Sequence, residues 1–119
     1  MLRYALLAIM LLVFSVADAN VYTYIMACES GGNTLSVNWK DAELRIDKQP
    51  SRGLYQFYWK TWIKYAKIYK IIPEYANLTI EQVNIFLHDP VYNAAVAHGM
   101  LADNLFFHWE TCYNRYLLS

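Results

Sequence analysis

The chain has 119 residues, 57% of them apolar and 17% aromatic, with eleven Tyr and four Trp. Ten Lys and Arg balance ten Asp and Glu, which excludes a basic stripe for nucleic acid and an acidic tail acting as a disordered arm. Such a length allows one small domain with a modest core, for which a covalent cross-link is a useful addition.

Residues 1–19, "MLRYALLAIMLLVFSVADA", combine one cation (Arg3), an apolar run from Tyr4 to Phe14 and a small-x-small ending, Ala17-Asp18-Ala19. This reads as a secretory signal peptide cleaved after Ala19. The alternative, a membrane anchor, needs roughly 20 apolar residues, more than this run supplies. Residues 20–119 are then the mature domain, secreted or periplasmic. Arg3 and Asp18 leave together, so its charge stays balanced.

The mature part opens with "VYTYIMACES", where Tyr22, Ile25, Met26 and Glu29 recur at helical spacing. Gly31-Gly32 ends this helix, since glycine accepts the left-handed conformation of a C-terminal cap. Glu29 therefore falls in its last turn. Residues 34–52 hold most of the local charge and read as an irregular or hairpin-like flap. Within it "LSV" and "ELRI" are candidate short strands, and Pro50-Ser51-Arg52-Gly53 marks a turn.

A second helix is expected over "YWKTWIKYAKIYK", with Trp59, Trp62, Ile63, Ala66 and Tyr69 on one stripe, four lysines outside and Pro73 as the stop. Thr79 and Gln82 form a capping box for "NLTIEQVNIFL". Asp89-Pro90 starts the helix carrying "VYNAAVAHGMLADNLF", and "HWETCYNRY" forms a short last one. The fold class is mainly α, a small α+β domain with a flap after the first helix.

Export permits oxidation, and Cys28 with Cys112 allows a single intramolecular pairing. Two buried free thiols are the alternative; the disulfide is favoured. Closing nearly the whole domain, it stabilises by at most roughly 4.5 kcal/mol of loop entropy. Two Cys and scattered His88, His98 and His108 show no ligand spacing, so no metal or other cofactor is expected.

Three pieces line up: "ESGGN" at 29–33, "GLYQFYWKTW" at 53–62, and the later "DPVYNAAVAHGML" and "HWETC". In this the sequence resembles the lysozyme-like lytic transglycosylase superfamily, the soluble transglycosylase group in particular. Those proteins pair Glu-Ser-Gly-Gly-Asn with Gly-Leu-Met-Gln-Ile-x-x-x-Thr-Trp. Gly53, Leu54, Gln56, Thr61 and Trp62 match the second motif, while Tyr55 replaces its Met and Phe57 its Ile. The resuscitation-promoting-factor branch is similar in placing Cys before the catalytic Glu and ending in Trp-x-x-Cys, as Cys28 and Trp109 to Cys112 do here. Its cysteines are bonded, which adds weight to the disulfide. The family's later Ala-Tyr-Asn element has no clear counterpart; "VYN" at 91–93 fits better as the Asp-Pro-x-x-Asn element.

The resemblance implies a lysozyme-like fold and cleavage of the MurNAc–GlcNAc bond of peptidoglycan strands, with Glu29 as catalytic acid and then base. Protonating a glycosidic oxygen near neutral pH requires a carboxyl still holding its proton, so apolar burial must raise Glu29 above its ordinary value. Ser30 orients Glu29 or caps the helix end. Gln56 is implied to bind substrate amide or hydroxyl groups. Tyr55 and Tyr92 are candidates for stacking on sugars or for the core, and Asn93 contacts substrate or faces solvent. Trp62 fits the core better than a sugar platform. Asp41, Glu43 and Asp47 in the flap are the carboxylates available to a hydrolytic muramidase. A catalytically silent glycan-binding protein is the third reading. Small members of that family also act beside secretion and conjugation machines, so the resemblance implies such an apparatus as a partner, and the protein itself is expected to be a monomer.

Overall fold

The computed structural model of the protein describes residues 20–119; the expected leader lies outside the described residues. Residues 20–30 are helical (α1), and the chain leaves α1 through Gly31 and Gly32, both at positive φ (64° and 79°). The glycine stop thus works as the sequence suggests.

The flap follows. Strand β1 (Val37–Asn38) pairs antiparallel with β2 (Ser51–Arg52), Val37 opposite Arg52 and Asn38 opposite Ser51. Between them lies a short helix, α2 (Trp39–Glu43), capped by the Asn38 side chain, which accepts from the Lys40 N–H. Two expectations change here. "ELRI" is not a strand: its two apolar residues, Leu44 and Ile46, are exposed, so no buried face selects extended pairing. The turn also lies later than Pro50–Gly53. Ser51 and Arg52 are in β2, and the reversal runs over residues 53–56, closed by the Arg52–Phe57 bridge. Its ends are marked by positive φ at Gly53 (84°) and Gln56 (54°).

Helix α3 (Trp59–Ile68) buries Trp62 and Ala66. It ends before Pro73, with Lys70 at positive φ. Helix α4 (Ile80–Leu87) has the expected capping box: the Thr79 hydroxyl accepts from Gln82 N–H, and the Gln82 side chain accepts from Thr79 N–H. Helix α5 (Pro90–Ala102) has Asp89 as its N-cap, accepting from Val91 and Tyr92 N–H groups. The chain then turns through Asn104 at positive φ, passes a 3-10 turn (Phe106–Trp109) and ends in α6 (Glu110–Leu118). The domain is mainly helical, with one small two-stranded sheet.

The core is built where α1, α3, α4 and α5 meet, around Ile25, Trp62, Val83, Leu87, Val96 and Met100. Trp62 stacks on Phe86, with ring centroids 5.2 Å apart, and its indole N–H donates to the Tyr92 carbonyl. Gly99 lets α3 approach α5: a Cβ there would stand 2.8 Å from the Tyr69 ring. The cysteines are bonded, with Cα atoms 5.8 Å apart, so α6 is tied to the last turn of α1, beside Glu29. Among the described residues no helix is long and apolar enough to cross a membrane.

Candidate active site

Glu29 projects from the last turn of α1 into a cleft of about 400 Å³. The base is Cys28, Glu29, Gln56 and Phe57; the flap forms one wall with Asn38, Asp41, Arg45 and Ser51. Tyr58 and Thr61 from the start of α3 line the cleft as well, and His108, Thr111, Cys112 and Arg115 form a wall from the C-terminal part. Helix α1 therefore holds the acid on a rigid rod, one turn beyond Ile25 on the side where Val21 and Ile25 are buried in the core.

The carboxyl of Glu29 is pushed up to about 7, chiefly by burial and then by the negative charge of Asp41. Loss of water disfavours the ionised form, and a neighbouring carboxylate disfavours it further. A carboxyl raised that far keeps its proton well above the ordinary carboxylate range.

The flap wall is fixed by a chain of polar contacts. The Ser51 hydroxyl donates to Asp41 Oδ2 (2.8 Å) and accepts from Arg45 Nη2 (2.9 Å). Arg45 also donates to the Gln49 carbonyl and lies over the Tyr58 ring, 4.4 Å from its centroid. Asp47 ties the flap to α3 by accepting from the Tyr58 hydroxyl (2.5 Å) and Trp59 Nε1 (2.9 Å). These donors hold the Asp47 carboxyl below its ordinary value, against some desolvation.

The residues of the turn at 53–56 are held from behind. Asn93 is wholly buried. Its Oδ1 accepts from Tyr55 N–H, and its Nδ2 donates to the carbonyls of Leu87 and Arg52. Gly53 sits against the same group: a Cβ on it would come within 2.0 Å of the Leu87 carbonyl and 2.3 Å of Asn93 Nδ2. The Tyr55 carbonyl accepts from Trp109 Nε1 (2.8 Å), tying the turn to the C-terminal part as well. Gln56 emerges into the cleft. Its amide nitrogen donates to the carbonyls of Gly53 and Ser36.

Of the residues expected to touch substrate, the cleft contains Glu29 and Gln56. The other four serve elsewhere. Asn93 is the buried clamp just described. Tyr55 is 2% exposed, its hydroxyl against the Tyr22 carbonyl and His98 Nε2, so neither ring face is open to a sugar. Tyr92 lies outside the cleft, packed edge-on against Phe86. Ser30 donates to the Met26 carbonyl and accepts from Gly32 N–H, the capping alternative rather than an orienting contact to Glu29. Trp62 is core, as expected.

Ser51, Tyr58 and Arg115 are cleft residues that the sequence pattern did not single out, whereas Asp41 is one of the three flap carboxylates it named. The signal for Arg115 lay in the cysteines: once Cys112 is bonded to Cys28, a helical residue three positions further on is carried beside Glu29. The flap residues had no comparable signal, because their positions depend on the 51–52 pairing. Among the described residues, no three His, Cys, Asp or Glu side chains come together as a metal site. The chain matches no family model, and comparison with curated proteins and with solved structures returns no match.

Proposed function

We propose that this chain is an exported, lysozyme-like lytic transglycosylase that cleaves the β-1,4 bond between MurNAc and GlcNAc in peptidoglycan. The single observation that carries the reading is Glu29: a carboxyl raised to about 7 on the base of a cleft. Its chemistry runs in two proton transfers. Glu29 gives its proton to the glycosidic oxygen as the C1–O bond of MurNAc breaks, releasing the GlcNAc-4-hydroxyl end. The MurNAc C6 hydroxyl then bonds to C1 and passes its proton to the Glu29 carboxylate. The product is a 1,6-anhydromuramyl end, the acid is restored and no water is consumed. The flap wall and the cleft face of α6 are the surfaces between which a glycan strand would lie. The paired cysteines agree with an extracellular or periplasmic protein.

A second reading, hydrolysis, has one observation in its favour. Asp41 lines the same cleft and its charge acts on Glu29, so a second carboxylate is available to activate a water. Digestion of purified sacculi by the mature protein, followed by mass spectrometry, separates the readings. Anhydro ends are expected from wild type and none from Glu29→Gln. Reducing ends abolished by Asp41→Asn support the muramidase instead. Binding to sacculi without any product supports a silent glycan-binding protein.

A further inference from the structure

Two arginines line the cleft, and they are used differently. Arg45 is committed to the flap through the Gln49 carbonyl, the Ser51 hydroxyl and the Tyr58 ring. Arg115 is exposed, and its polar contact among the described residues is a long one, Nη1 to Cys28 Sγ at 3.8 Å. Among the described residues it pairs with no carboxylate: Asp41 Oδ2 accepts from Ser51, and the charge that acts on Glu29 is that of Asp41. A guanidinium presents a planar fork of N–H donors suited to a carboxylate. Here that fork stands over the disulfide, next in sequence to the acid.

The charge nearby has the same sign. Segment 59–70 carries Lys60, Lys64, Lys67 and Lys70 and no acidic residue. Lys64 is close enough to His108 on the cleft wall to act on it, adding to burial in holding that imidazole below its usual value. Of the α6 residues that line the cleft, Thr111, Cys112 and Arg115, the guanidinium is the one that carries charge.

We infer that Arg115 is a specificity-determining residue that pairs with a carboxylate carried by the sugar beside the scissile bond, selecting an anionic glycan over a neutral one. This rests on the glycan-cleaving reading. Two sources share that chemistry: the lactyl group of a sugar stripped of its peptide, and the acidic stem peptide itself.

The test is binding by calorimetry in the Glu29→Gln background, so that no ligand is consumed. Three oligosaccharides of equal length serve as probes: peptide-bearing, peptide-stripped with the lactyl carboxylate exposed, and neutral chitooligosaccharide. The carboxylate-bearing ligands are expected to bind about tenfold more tightly than the neutral one, and Arg115→Gln to erase most of that ratio. Arg115→Lys is expected to restore part of it, a readout that a purely structural role would not give. Preference for the peptide-stripped ligand alone assigns the contact to the lactyl carboxylate, preference for the peptide-bearing one alone assigns it to the stem, and preference for both gives a guanidinium that takes either carboxylate; each supports the proposal. Glycan binding with a ratio unchanged by Arg115→Gln overturns the role of Arg115 alone. Failure of all three glycans to bind overturns the glycan reading and this inference together. Circular dichroism of Arg115→Gln checks the fold, which is expected to be intact because the residue is exposed.

Discussion

At the scale of single residues, the fold sets one acid against its own comfort. A carboxyl whose folded value is raised from 4.5 to about 7 binds a proton in the native state over a range where the unfolded chain has lost it. Native stability therefore falls as pH rises through that window and is flat above it. Glu29→Gln removes the effect. Its melting temperature relative to wild type is expected to be higher at pH 8 than at pH 4, read by thermal denaturation at both. Asn93 makes the opposite case. Its side chain meets three backbone groups behind the turn at 53–56, so Asn93→Ala strands buried donors and acceptors and should cost about 2–4 kcal/mol by urea denaturation. A substrate contact would instead raise KM with little change in stability. The "GLYQF" pattern was legible as a motif, but not which of its members face inward. That depends on Asn93 meeting the turn from a helix distant in sequence.

At the scale of elements, what could be read was what is local. The capping box at Thr79 and Gln82, the Asp89-Pro90 helix start and the Gly31-Gly32 stop are each decided by neighbouring residues, and each forms as expected. The flap is not local. Its strands are two residues long, and its order comes from Asp47, Arg45 and Ser51 reaching across to α3 and to one another. Periodicity has no access to such contacts, which is why "ELRI" misleads. Asp47→Ala should leave the helices intact but free the flap, giving faster tryptic cleavage at Lys40, Arg45 and Lys48 than in wild type. Because its partners hold the Asp47 carboxyl below the ordinary range, the anchor persists through mildly acidic pH and weakens only as pH falls through that lowered value. Proteolysis unaffected by the substitution would show that the flap is ordered by something else.

At the scale of the whole molecule, the disulfide joins stability to the site. It closes 84 residues of sequence and brings the α6 wall against the end of α1. Replacing both cysteines by Ala should cost up to roughly 4.5 kcal/mol and should reduce activity more than stability alone explains, since Arg115 and Glu29 lose their common anchor. The fold class and the cysteine pairing were legible before any coordinates, because they rest on helix signals and on there being two cysteines. The far wall of the cleft was not, because it is assembled only when the two ends of the domain meet. All of this serves one acid that keeps its proton near neutral pH. Titration of the Glu29 carboxyl carbon by NMR in the oxidised protein tests that most directly. A midpoint near 7 that moves down in Asp41→Asn is the result expected; a midpoint in the ordinary carboxylate range, indifferent to Asp41, would contradict it.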